Sequence, residues 1–321
     1  LVKSANYDPN DLGYLSSANG VTYDVSGSYN QLTPTRSFIT YTYSLDMKLV
    51  NLYKPYAFGR YDITGIGYWV LKNFWNITLS SQLSPTDFHD YFELRTTGRY
   101  LNYPLNAYVD LAGNTDSRKR LLLSYGGTYA RSPEYNNTYS GLHFGFRYRF
   151  SNKFNLDIQA DSHFESNQLG YAFQREPNGD PIVGFRDNRE FISLFSSTYN
   201  FTPRLNLTLR ARHYWNKVNY ISFHDVDANG KLIPRQNNFG NSLDQNVNLF
   251  NLDAFLTWDF RLGSRLVLGY KNWLGDDELV GFASKNSYLY NLREIFDLRH
   301  GNEFTLRFIY FLDYNQFRKN P

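Results

Sequence analysis

A chain of 321 residues whose 33 basic and 30 acidic side chains leave a net charge of only +3, with the signs interspersed, does not imply a nucleic-acid partner. It has no cysteine, which excludes disulfides, thiolate metal sites and thiol nucleophiles, and no run of apolar residues long enough for a transmembrane helix. An aromatic content of 18% beside a mean hydropathy of −0.53 suits strands with one greasy and one wet face.

Alternation with a period of two runs through the chain and predicts strands near 20–31, 36–53, 57–71, 75–87, 105–114, 119–131, 138–150, 154–166, 187–200, 204–220, 245–260, 265–276 and 302–316. In the second of these, Ile39, Tyr41, Tyr43, Leu45, Met47 and Leu49 oppose Thr40, Thr42, Ser44, Asp46 and Lys48. Around 142–150, Leu142, Phe144, Phe146, Tyr148 and Phe150 oppose His143, Gly145, Arg147 and Arg149. Leu205, Leu207, Leu209 and Ala211 oppose Asn206, Thr208, Arg210 and Arg212, and the 245–260 strand repeats the rule with Phe255 as its exception. Many segments reach ten residues or more, longer than the roughly five to six usual in soluble proteins and close to the roughly nine to eleven that cross a membrane.

Connections fall into two classes. Short ones occur at 32–35, 72–74, 115–118, 151–153, 202–204 and 261–264, and long polar ones at 88–104, 132–137, 167–186, 221–244 and 277–300. Their alternation predicts an all-β, antiparallel transmembrane β-barrel of the bacterial outer membrane, with short periplasmic turns and long extracellular loops. Length and turn asymmetry disfavour the competing soluble sandwich or closed barrel. Thirteen segments is odd for a single-chain barrel. About 14 strands (12–16) are therefore expected: residues 1–19 supply another, 88–104 hides a pair, or the chain is part of a larger barrel. The division is an N-terminal lead-in at 1–19, the barrel at 20–317 and a tail at 318–321. No charged-then-apolar leader follows Leu1, so a signal peptide is expected to have been removed or to lie outside the chain.

The polar faces carry Arg147, Arg149, Arg210 and Arg212 with Asp157, Asp161, Asp253 and Asp259. These residues are the candidate lumen lining, either selecting solutes by charge or pairing with one another to fill and stiffen the interior. Trp75, Phe150, Phe154, Phe201, Trp258 and Phe260 cluster beside the short turns and form a candidate periplasmic aromatic girdle. Asp225, Asp227 and Asn229 match the first half of a calcium loop, but the twelfth position is Gln236, and Asn229-Gly230 favours a hairpin tip over calcium. Pro177-Asn178-Gly179-Asp180 reads as a second tip. The six histidines show no metal-ligand spacing, although His143 and His163 fall on polar faces of adjacent strands. No catalytic motif is found, so the expectation is no enzyme, with a membrane-embedded hydrolase on the barrel rim as the minor alternative, no cofactor and no firm metal site.

Asn6-Tyr7-Asp8-Pro9-Asn10-Asp11-Leu12-Gly13-Tyr14-Leu15 and Leu306-Arg307-Phe308-Ile309-Tyr310-Phe311-Leu312-Asp313-Tyr314, with Arg99-Tyr100-Leu101 before Pro104 and Thr115-Asp116-Ser117-Arg118-Lys119 between them, resemble a Bacteroidota outer-membrane family. Its members look like an N-terminal carbohydrate-binding family-9-like domain followed by a C-terminal β-barrel of uncharacterised function. The resemblance implies that this chain is the barrel part and that Leu1 is internal to a longer protein. It implies no catalytic residues. The expected partners are outer-membrane lipid and lipopolysaccharide and other outer-membrane proteins. The expected function is a channel for polar solutes, saccharides favoured through the resemblance, with a plugged structural or accessory barrel as the alternative.

Overall fold

The computed structural model describes residues 1–4, 18–236, 239, 243–276, 287–297 and 299–313. Alternating side chains can bury or expose only one face of a strand at a time, and the chain uses this to build a single large antiparallel sheet. Its strands are β1 (Val2–Lys3), β2 (Gly20–Gln31), β3 (Phe38–Leu52), β4 (Ala57–Leu71), β5 (Asn76–Ser84), β8 (Asn106–Asn114), β9 (Leu121–Ser132), β10 (Asn137–Arg149), β11 (Phe154–Arg175), β12 (Pro181–Thr202), β13 (Leu205–Val226), β15 (Gln245–Arg261), β16 (Ser264–Asp276) and β17 (His300–Ile309), paired in that order. Outside this path, β6 (Phe88–Asp90) pairs with β7 (Leu101–Tyr103), and β14 (Leu232–Pro234) pairs with the end of β13.

The thirteen expected segments all appear as strands, and the lead-in contributes the fourteenth through Val2↔Val21. The 88–104 loop does hide a pair, but as a separate hairpin rather than as barrel strands. Among the described residues no strand pairing joins β17 to β1 or β2, so the observed sheet has two edges. Also among the described residues, no helix is long and apolar enough to cross a membrane.

Several expected boundaries move. The segment expected to be a loop at 167–186 largely continues the wall, and so do residues 221–226 of the one expected at 221–244: β11, β12 and β13 each run 22 residues, with β11 and β12 closed by the expected tip at 176–180. Register shifts at Glu165/Gln168 and Tyr171/Gln174 bend this extension, and Asn167 (φ 52°) and Phe173 (φ 56°) adopt the left-handed backbone there. The last strand ends at Ile309 rather than near 316. The 277–300 connection ends in a seven-residue helix, α1 (Tyr288–Glu294), with a short 3₁₀ turn at Ile295–Asp297. Ser287 caps α1 by accepting from Tyr290 N.

The register shows that the alternation is continuous across strands. Leu45 pairs with Gly27 and Gly65, Leu142 with Gly127 and Ser162, and Phe144 with Tyr125 and Ala160, all on one face. That face is bare: Leu142 is 68% exposed, Val25 73% and Phe304 79%. The buried core lies elsewhere, at the end of the sheet with the long connections. There Leu94 and Leu101, from the 88–104 lobe, pack with Leu169, Val183 and Val226 of the extended hairpins. A second cluster joins Ala172, Ile182 and Phe223.

Candidate functional site

The face opposite the apolar rows is charged and hydroxylated from one edge to the other. On β2, β3 and β4 the register sets Asp24 beside Lys48 beside Asp62, with Arg60 Nε donating to Asp62 at 2.6 Å and Ser84 Oγ donating to the same oxygen at 2.6 Å. On β8 and β9, Thr128 donates to Asp110 at 2.6 Å.

The expected lumen residues all fall on this face, but they act in different ways. Arg147 Nε donates to Asp157 at 2.7 Å across the β10–β11 register. Asp161 lies 2.5 Å from His143 Nδ1. Arg149 instead donates through Nη2 to the carbonyls of Ser117 and Lys119, at 3.1 and 2.7 Å, and so ties β10 to the neighbouring turn. Arg210 is the register partner of Asp253 and Arg212 of Asn251, and among the described residues neither arginine has a carboxylate within ion-pair distance. Asp259 is held by Arg265 at 2.6 Å. His143 and His163, on one face, do not form a pair: His163 Nδ1 lies 2.5 Å from the Tyr139 hydroxyl and its Nε2 3.9 Å from Glu190, which accepts from Tyr214 at 2.8 Å. Tyr139, Glu190 and Tyr214 were visible in the alternation as polar-face positions but were not singled out.

At the short-turn end, Asp116 sits almost fully buried in the 115–120 turn and accepts twice from Arg118, Nε and Nη2, both at 2.8 Å. This guanidinium lowers the Asp116 carboxyl from its ordinary value near 3.8 to about 2. The same guanidinium lies 3.3 Å over the Phe74 ring. Lys119 and Arg120 follow in the turn, and sequence reading passed over the run Arg118-Lys119-Arg120 as a site although three adjacent cations beside a turn were a readable signal. The girdle residues lie beside the short turns: Phe150 stacks on Phe154 at 4.9 Å, Phe201 meets Tyr199 edge to face at 4.8 Å, and Trp258 meets Phe260 at 5.6 Å. Trp75 is 38% exposed next to its turn.

At the other end, Asp227 Oδ1 accepts from Asn229 N and Lys231 N, both at 2.8 Å, and Gly230 (φ 74°) turns the chain, while Asp225 is engaged by Arg235 at 2.7 Å. The residues of the calcium pattern thus build a hairpin tip, with their carboxylates turned to its own amides and to an arginine. Among the described residues no three His, Cys, Asp or Glu side chains converge as a metal site. Arg99, from the lobe, donates to Asp180 at 2.8 Å and to the Val226 carbonyl at 2.5 Å, binding both hairpin tips together. Burial among these elements pushes the Tyr103 hydroxyl well above its ordinary value, with Glu93 and Asp90 adding to the effect. Tyr288, at the start of α1, packs its ring 4.2 Å from Phe191 and 5.5 Å from His213.

No curated protein sequence matches the chain. Among solved structures, a NanC porin in a rhombohedral crystal form is similar at 11% identity, covering 78% of this chain and 86% of that one, with a TM-score of 0.23; a likeness at that level bears on neither fold nor function. A family model matches residues 1–320, and that match shows neither a Bacteroidota origin nor a carbohydrate-binding family-9-like domain. The chain belongs to the family described as a domain of unknown function, DUF5916.

Proposed function

We propose that the chain forms a transmembrane β-barrel of the bacterial outer membrane and serves as a channel for polar solutes. The observation that carries this reading is the largely apolar face that runs across the antiparallel sheet, with large side chains exposed on it from Val25 to Phe304, backed by a charged face. In water, so much exposed apolar surface would drive association, whereas lipid solvates it at no cost. The opposite face then lines a wet interior in which its ions stay solvated or paired. Lipid cannot satisfy unpaired backbone groups, so the reading requires the edges at β2 and β17 to be paired in the membrane, with one another or with further strands. Saccharides remain the favoured solutes only through the sequence resemblance, and no catalytic step is assigned.

The buried lobe at 88–104 favours a second reading, a plugged accessory barrel within a larger assembly, because its hydrogen bonds to both hairpin tips would hold it across the long-connection end. Single-channel conductance in planar bilayers separates the two. A steady conductance whose ion selectivity shifts in Arg147→Ala/Arg149→Ala supports the channel; no conductance after verified insertion rejects it in favour of the plugged barrel.

A further inference from the structure

The charged face is not evenly balanced along its length. At the short-turn end, the turn before β9, the end of β10, the turn into β11 and the end of β12 border an open recess of about 610 Å³ lined by Arg118, Arg120, Arg149, Lys153, Asn155 and Asn200, with the girdle rings Phe150 and Phe154 at its rim. It adjoins a second recess of about 410 Å³ that shares Arg120, Arg149 and Asn155 and adds Lys119 and Arg147. Six cations therefore converge here. Of these, Arg118 is paired with Asp116 and Arg147 with Asp157. Among the described residues, no carboxylate lies within ion-pair distance of Lys119, Arg120, Arg149 or Lys153.

A network built only to stiffen a lumen places acids among its bases, as the same face does at Arg60–Asp62 and His143–Asp161. An excess of four positive charges around one recess is self-repelling and raises the local concentration of anions. The recess is also furnished to hold them. Arg149 is fixed by the two carbonyls it donates to, and the polar side chains of Asn155 and Asn200 line the same recess. Planar guanidinium forks flanked by an ammonium match a ligand with several anionic oxygens better than one with a single charge.

We propose that this basin binds polyvalent oxyanions, such as phosphate esters or polycarboxylates, at the short-turn mouth, with Arg120 and Lys153 supplying the charges free to engage the ligand. The proposal rests on the barrel reading in taking the polar face as water-filled, and it adds a charge class to the solutes admitted.

The test is isothermal calorimetry on the full chain folded in neutral detergent, with pyrophosphate as probe and sucrose as the uncharged control. Saturable binding of pyrophosphate, weaker as salt is raised, is expected, and Arg120→Gln/Lys153→Gln should weaken it by about tenfold or more while Arg120→Lys largely retains it. Far-UV circular dichroism and the heat-dependent gel shift of a folded barrel establish that the variants fold; Arg149 is left intact because it clamps the turn. Equal binding in the double variant, no saturable binding, or binding of short-chain phosphatidylglycerol without pyrophosphate overturns the proposal, the last by making the basin a headgroup site. Calorimetry reads binding without a pore. A silent bilayer with intact pyrophosphate binding therefore rejects only the channel, and conduction without binding rejects only the basin.

Discussion

Asp116 shows how one side chain organises a turn. Its carboxylate takes two bonds from Arg118 and one from the Arg118 amide at 3.1 Å, and its carboxyl lies near 2 rather than 3.8. A folded-state value below the unfolded one means that the contribution is fully present above about pH 4 and is lost as the pH falls toward 2. In a carbon-detected NMR titration the Asp116 carboxyl should therefore remain ionised until about pH 2, and Arg118→Ala should return it toward the ordinary carboxylate range. Gly230 makes the complementary point about backbone. At φ 74° a side chain is strained, and a Cβ here would lie 2.8 Å from the Tyr100 carbonyl, while the Gly230 carbonyl accepts from Asn102 N at 3.0 Å. Gly230→Ala should cost about 1–3 kcal/mol locally, seen as faster amide exchange at both Asn102 and the 227–231 tip with the rest of the sheet unchanged.

The 88–104 lobe is the element whose stability depends most on ordinary burial. Leu94 and Leu101 are fully covered by Leu169, Val183 and Val226, so the lobe behaves like a small soluble core attached to the sheet. Leu94→Ala should remove about 2–5 kcal/mol from that core, and limited proteolysis should then cut within 91–100 while the folded sheet keeps its gel mobility. Helix α1 is too short to be stable alone and is held by its packing. Asn291 accepts from Asn246 at 2.9 Å through its side chain and from Asn248 at 2.8 Å through its carbonyl, and Asn248 in turn meets His213 at 2.9 Å. These contacts fall on the apolar face of β13 where it changes from Leu205–Ala211 to His213 and Trp215. The helix thus lies where the greasy rows stop.

For the whole molecule, the two faces make opposite demands on substitution. Phe144 is half exposed, and in a water-soluble protein Phe144→Arg would change stability by no more than about 0.5 kcal/mol. If the face meets lipid, the same change should cost about 2–4 kcal/mol, read as a lower urea midpoint for the chain folded in lipid vesicles. A polar-face control such as Thr128→Arg would not meet that hydrocarbon cost. An unchanged midpoint for Phe144→Arg would count against the membrane reading as a whole.

The period-two alternation by itself determined the strand identity of the thirteen long segments, which face each residue takes, and the short turns, because side-chain direction in a strand is fixed locally by the pleat. It also placed the tips at Asn178-Gly179 and Asn229-Gly230, where turn geometry selects the residues. What it missed depends on contacts between residues far apart in the chain. The 167–186 and 221–226 stretches read as loops because bulges interrupt their alternation, and only pairing with neighbouring strands keeps them in the wall. The 88–104 lobe has too few residues to show a core of its own, so Leu94 and Leu101 gain meaning only from the hairpins that cover them. The division of the charged face into paired ions and an unbalanced basin was likewise decided by tertiary structure. Alternation tells which residues share a face, but the stagger between strands decides which charges come within reach of one another.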